Sequence, residues 1–320
     1  ADPPTFFDYS EHGGWGRAVE MCSGVGACRK KFQGTMCPSY MATRDEAHST
    51  RGRANVLRLA MSGQLGEVDL QDRALREVLD LCLECRACKS ECPVGVDMAR
   101  FKSEFLADYW RRHGTPLSAR MLGNIQQLSR WSSPLAPFSN WMLSSGPVRW
   151  LNERMFGIDA RRQLPQWQKQ TLSQWWNCRI GSPSSSVAPQ KAVLFKDTFT
   201  NYFEPEIGIA AIELCEAAGI RIGLAPNHCC GRPLISQGML NQAREYARKN
   251  VQSLFPVVQK GLKIVVCEPS CLSALCEDAP ALLRGEEQEK AKAIAESCLL
   301  FEEFMEMASR SGNGDLSFVS

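Results

Sequence analysis

Apolar residues recur at helical intervals in the first third of the chain and gather into short continuous runs in the last third. Over residues 51–62 the positions Val56, Leu59 and Ala60 predict one helix, and over 72–83 Leu75, Val78 and Leu79 predict another. Further on, the runs 191–195, 220–225 and 262–267 read as strands. They alternate with helical stretches at 205–218, stopped by Gly219, and 239–254. Strands and helices alternating over short connections imply parallel βαβ units. Ligands in such sheets collect outside the carboxyl ends of the strands.

Between these regions the pattern changes character. Seven of the eight tryptophans lie from Trp110 to Trp176, and from Arg111 to Arg179 ten Lys and Arg face only Glu153 and Asp159. Amphipathic helices whose Trp and Met faces pack on neighbouring domains account for this composition. An interfacial anchor attracted to anionic lipid is the competing reading. Pro134, Pro137, Pro147 and Pro165 cut the segment into short pieces, which favours packing. Gly181-Ser-Pro-Ser-Ser-Ser reads as a linker. The expectation is an α+β multidomain chain: an α-helical domain over 1–115 that holds the first seven cysteines, a Trp/Arg-rich helical connector over 116–186, and an α/β cysteine-rich domain over 187–320. Residue 1 is Ala, and the closing Asn313-Gly-Asp-Leu-Ser-Phe-Val-Ser starts like a turn into a new strand. Both ends read as cuts through a larger polypeptide.

The 320 residues include 15 cysteines, and 44% of the chain is hydrophobic. Disulfide frameworks belong to small secreted domains, so clustered cysteines in a chain of this size point to metal ligation in a reducing, cytoplasmic setting. No run of eighteen apolar residues and no secretory signal is present, and membrane association is expected to be peripheral at most. A formal charge of +2 calls for no nucleic-acid partner.

The chemistry concentrates in Cys82-Leu-Glu-Cys85-Arg-Ala-Cys88-Lys-Ser-Glu-Cys92-Pro93. C-x2-C-x2-C-x3-C-P is the spacing of bacterial iron–sulfur ferredoxins, in which the fourth cysteine serves a different cluster. Zinc also binds C-x2-C pairs, but usually two pairs separated by a longer loop. A partner motif lies upstream: Cys22-Ser-Gly-Val25-Gly-Ala-Cys28, then Cys37-Pro38. Crossing the ligands gives Cys37, Cys82, Cys85 and Cys88 to one [4Fe–4S] cluster. Cys22, Cys28 and Cys92 are left around a second site whose fourth position is Val25, and valine cannot ligate iron. That site is a three-iron cluster, a four-iron cluster with a non-cysteine ligand, or empty with three buried thiols; the last is preferred. Arg86 and Lys89 put positive charge inside the ligand loop and would raise the cluster's potential, unless they are merely exposed loop cations. His12 and His48 lack metal spacing and read as hydrogen-bonded structural histidines. Arg51 and Arg53 could bind an anion, although helix-start arginines are commonly just solvated.

His228-Cys229-Cys230-Gly231 falls just after the second strand of the α/β region, and Cys267-Glu268-Pro-Ser-Cys271 ends the third. Two such loops can face one another across a crevice. Cys-Cys-Gly followed by a further cysteine resembles the cysteine-rich "CCG" domain of heterodisulfide reductase subunits and of the iron–sulfur subunits of glycolate and anaerobic glycerol-3-phosphate dehydrogenases. That pattern has an upstream cysteine where this chain has Asp197, and CxxC where it reads Glu268-Pro-Ser-Cys271. Such domains carry the motif twice and this chain holds one copy, so the resemblance implies an incomplete, first-half domain with Cys229, Cys230 and Cys271 as metal ligands.

Taken in order, these motifs resemble the C-terminal iron–sulfur half of bacterial FAD-linked D-2-hydroxyacid oxidoreductases, with the D-2-hydroxyglutarate dehydrogenases nearest. The resemblance implies FAD in an N-terminal domain of the same polypeptide, which takes a hydride from the hydroxy acid. A cluster in this segment would then drain the flavin toward a quinone or another electron carrier. No flavin fingerprint occurs in the 320 residues, so the segment alone is expected to leave hydroxy acids unoxidised. Two alternatives are a separate electron-delivery module for a flavoprotein or quinone reductase, and a heterodisulfide-reductase-like thiol reductase using Cys229 and Cys230. Homo-oligomerisation stays open.

Overall fold

The computed structural model describes residues 4–65, 72–179 and 190–310. The Gly181-Ser-Pro-Ser-Ser-Ser linker, Ala1 and the Asn313 turn lie outside these described residues. The chain divides into two compact units, one of 1–119 together with 233–241, the other of 120–232 with 242–320.

The first unit is helical. The sequence-predicted helix at 51–62 forms as Thr50–Met61, with Ser49 capping it by accepting from Gly52 N. Its buried stripe is Thr50, Arg53, Leu57 and Ala60, so the inward face is turned from the Val56/Leu59 register expected above. The next helix, Arg73–Asp80, is capped by Asp72 and is shorter than the expected 72–83, because the chain turns at Leu81 into the cysteine loop. It buries Leu75 and Leu79. The helix Met98–His113 is buried along most of its first three turns. On it, Glu104 Oε1 accepts from Phe6 N (2.8 Å) and Phe7 N (2.6 Å), tying down the N-terminal segment. The 233–241 segment joins this unit through Gln237, whose carbonyl accepts from Trp110 Nε1 at 2.9 Å. A Cβ on Gly238 would stand 2.4 Å from Leu106 Cβ, so only glycine permits that approach.

The second unit is built on a four-stranded parallel sheet in the order β2-β1-β3-β4, with β1 Ala192–Leu194, β2 Ile222–Leu224, β3 Lys263–Val266 and β4 Cys298–Leu300. Val193, Phe195, Ile264 and Val266 enter the core on one face, and Ala192, Leu194, Ile222 and Val265 that on the other. This is the two-sided burial that parallel sheets require. β4 was not expected: three residues entered through Cys298 carry too little strand signal. The helix Leu240–Gln259 runs past the predicted stop at 254 and through Pro256. Leu254 and Val257 stay in the core on either side, which offsets the hydrogen bond the proline cannot make.

The connector behaves differently from its expected packing. Trp167 is buried with Ala136 and Phe203, and Trp175 and Trp176 lie partly buried against the sheet's second core. Trp131, Trp141 and Trp150, however, are 77%, 65% and 61% exposed. For these three the packing expectation is corrected, and the reason is local: the helices turn small residues inward instead.

Candidate metal centre and strand-end cysteine site

The loop between Asp80 and Ala87 is shaped by left-handed backbone at Glu84 (φ 53°) and Arg86 (φ 61°), which turns the chain back on itself between successive cysteines. Cys37 approaches as the residue before the helix Pro38–Thr43, with proline in the first helical turn where its missing N–H costs nothing. Cys37, Cys82, Cys85 and Cys88 all line one cavity, together with Met36, Arg53 and Met98. Cys37 and Cys88 are buried, Cys82 is half-buried and Cys85 is exposed. Two stretches far apart in sequence thus close to a single site.

Of the two readings left open for Arg53, an anion contact or plain solvation, solvation is corrected: the residue is fully buried, at 0% exposure. Its Nη1 lies 3.6 Å from Cys37 Sγ, Nη2 donates to Ser39 Oγ at 3.0 Å, and Nε donates to Val78 O at 3.1 Å. Its place on the stripe with Leu57 and Ala60 was the one available signal. Ser39 Oγ is itself 3.3 Å from the Cys37 sulfur. Burial pushes the Cys37 thiol up, but Ser39, the Tyr40 backbone and the Arg53 guanidinium outweigh it and leave the group below its ordinary value. Burial drives Cys88 up to about 12, with Asp97, Cys82 and Cys85 adding to the rise. Lys102 supplies a second buried cation: its Nζ donates to Cys82 O at 2.8 Å and to Asp80 O at 3.3 Å, and stands 3.8 Å from Glu84 Oε1.

Among the described residues, no group of three or more His, Cys, Asp or Glu is gathered as a single metal ion would need. The four thiols instead surround a volume. That arrangement, with a buried guanidinium against one sulfur, fits an iron–sulfur cluster whose thiolates carry excess negative charge. Arg86 lines the same cavity, and Lys89 sits half-buried in the short helix Ala87–Glu91.

Around the second expected site the thiols differ in burial. Cys28 is buried and accepts from Arg51 N at 3.3 Å; burial raises its thiol, with smaller contributions from Cys22 and Cys37. Cys92 ends the helix Ala87–Glu91. Only Cys28 of the three is fully buried, and Val25 is 67% exposed. Arg51 is engaged by Glu46 at 2.7 Å rather than free for an anion. His48 Nδ1 pairs with Thr43 Oγ1 at 2.9 Å, a structural role as expected.

In the second unit the strand-end loops do meet. Cys230 Sγ and Cys271 Sγ are 3.1 Å apart, and Cys229, Cys230 and Cys271 are all buried. Asn250 frames the first loop, donating to Cys229 O at 2.9 Å and accepting from His228 N at 2.8 Å. Gly231 follows with φ 87°. Asp197, at the end of β1 where the resemblance calls for cysteine, is buried and caps the helix Thr198–Tyr202, accepting from Phe199 N (2.8 Å) and Thr200 N (3.0 Å). Its oxygens are thus spent on backbone and on the Thr200 hydroxyl. Burial raises Asp197, and burial together with Asp197 pushes neighbouring Cys267 up to about 12.

Residues 18–96 match the 4Fe-4S dicluster domain and residues 197–276 the cysteine-rich domain. The chain therefore carries iron–sulfur electron-transfer domains. The particular proteins it is similar to are oxidoreductases. The D-2-hydroxyglutarate dehydrogenase of Pseudomonas putida is 28% identical over 78% of this chain and 28% of that protein. One component of the anaerobic glycerol-3-phosphate dehydrogenase of Escherichia coli is 32% identical over 51% of this chain and 41% of its own length. The glycolate oxidase iron-sulfur subunit of Escherichia coli is 24% identical over 94% of this chain and 72% of that protein. The chain spans less than a third of the D-2-hydroxyglutarate dehydrogenases of Pseudomonas putida and Escherichia coli. No solved structure matches it.

Proposed function

We propose that this chain is the electron-transfer segment of a FAD-linked D-2-hydroxyacid dehydrogenase, with D-2-hydroxyglutarate as the substrate of the whole protein. Cys37, Cys82, Cys85 and Cys88 hold a [4Fe–4S] cluster, which supplies one-electron transfer between a flavin bound outside these residues and a quinone or soluble carrier. Arg53 holds positive charge against the Cys37 sulfur, and Lys102 fixes the backbone of the Cys82 loop. Exposure at Cys85 leaves one edge of the site open to a partner. The observation that carries the reading is the convergence of four thiols, from two distant stretches, on one cavity with a buried guanidinium behind it.

Iron and acid-labile sulfide counts with EPR of the dithionite-reduced, anaerobically prepared chain test this. About four irons per chain are expected from one cubane, with the signal lost in Cys37→Ser. A colourless, zinc-loaded protein would sink the reading, and nearly eight irons would show that Cys22, Cys28 and Cys92 also hold a cluster. A thiol reductase reading has one observation in its favour, the Cys230–Cys271 contact. Thiol–disulfide activity surviving in Cys82→Ser would support it.

A further inference from the structure

The connector helices carry their apolar residues on the outside. Ile125–Ser132, Ala136–Ser144 and Gly146–Phe156 follow one another with almost no linker. Ser129, Ser133, Ala136 and Ser139 face inward, at intervals of four, three and three. The serines are used there: Ser129 Oγ accepts from Trp167 Nε1 at 3.0 Å, Ser133 Oγ donates to Gln168 O, and Ser139 Oγ donates to Leu135 O at 3.0 Å. On the opposite side Trp131, Leu135, Phe138 and Trp141 repeat the same intervals in solvent, and Trp150 and Leu151 are exposed on the next helix. Phe138 and Trp141 lie side by side in this stripe, ring centroids 5.9 Å apart. The prolines do not interrupt it: Pro134, Pro137 and Pro147 each occupy the first turn of an element.

Exposed aromatic surface of this extent marks a binding face. Its charge selects the occupant. These three helices carry Arg130, Arg149 and Arg154 against Glu153 alone; beyond them Arg161 is paired with Asp159, and Arg162 follows. Tryptophan and leucine backed by arginine, with almost no acidic groups, is the composition of segments that lie in the headgroup region of anionic bilayers. A lipid surface also needs no socket of matching shape, which suits projecting side chains. No described helix is long and apolar enough to cross a membrane, so the mode is lying on the surface. We propose that the 125–156 face docks on an anionic lipid surface.

The full chain, with its cluster reconstituted, is mixed with vesicles of phosphatidylcholine alone or with phosphatidylglycerol, some carrying brominated acyl chains. Sedimentation should show about tenfold tighter binding to the anionic vesicles, weakened by salt. Brominated lipid should quench the tryptophan fluorescence of bound protein. Replacing Trp131, Trp141 and Trp150 by Ser together should cost at least about tenfold in binding and remove the quenching. Arg130→Gln with Arg154→Gln should erase the anionic preference. Wild-type chain that stays in the supernatant, or binds without quenching, overturns the proposal whatever the variants do. So does a triple variant that changes oligomeric mass while vesicle binding stays the same, which would give the face to a second copy of the chain.

Discussion

A single guanidinium with no exposure to water is expensive to bury unless its charge and donors are all matched. Arg53 donates to Ser39 and Val78 and leaves its remaining edge to the Cys37 sulfur. In the thiolate form that sulfur is the natural counter-charge. Positive charge and hydrogen bonds at ligand sulfur raise a cluster's potential, because they favour the more reduced, more negative state. Arg53→Met should therefore lower the midpoint potential in an EPR-monitored redox titration, and Arg53→Lys should lower it less. An unchanged potential in both would remove Arg53 from the electrostatics of the site. The methionine variant also removes the side-chain donor from Val78 O and one of the partners of Ser39 Oγ, which keeps its bond to His48 O, so a stability loss of about 1–3 kcal/mol is expected in denaturant unfolding of the apo chain. Arg86 and Lys89 are more open to solvent, and replacing either by Glu should move the potential downward by less than Arg53→Met does.

Short elements are held in place by ties between loops. Glu91, at the end of the helix that carries Cys88, accepts from Thr35 N at 2.7 Å and from the Thr35 hydroxyl. Those hydrogen bonds hold its carboxyl at about 2. They pin the turn leading into Cys37 to the element bearing another thiol of the same cavity. A Cβ on Gly34 would meet Glu91 Oε2 at 2.4 Å, so the approach is close on both sides. Glu91→Ala should speed iron loss to a chelator several-fold while leaving the helical content intact by circular dichroism. On the α/β side, Asp197→Ala removes a cap that serves two backbone N–H groups. It should cost about 0.5–2 kcal/mol in thermal or denaturant unfolding. The Glu91–Thr35 tie was invisible in the sequence because it joins residues far apart, whereas cysteine spacing is a short-range signal that survives in one dimension. Three strands and both long α/β helices were legible for the same reason. β4 was not, since three residues beginning with Cys298 have neither period nor length. For Arg53 the sequence left anion binding and solvation open; the register of Leu57 and Ala60, which turns it inward, decides against solvation.

At the scale of the whole molecule, two cysteine-rich sites occupy two separate units, one helical and one around a parallel sheet. The connector's composition is plain in the sequence, but its orientation is not. Which face turns inward is decided by Trp167 and Phe203, partners distant along the chain. Cys85→Ser should lower iron to well below one cubane per chain, whereas Cys230→Ser should leave iron at the first unit's site unchanged. Iron counting on both variants checks whether the two units load independently.

The uneven wrapping of the four thiols has its own outcome. With Cys37 and Cys88 sealed in protein and Cys85 facing water, the site has one weather side. Tunnelling electrons would pass most readily through that corner, and so would dioxygen and peroxide. Oxidative damage should begin there, and a partner that docks over Cys85 during turnover would shelter the inorganic core while drawing current from it.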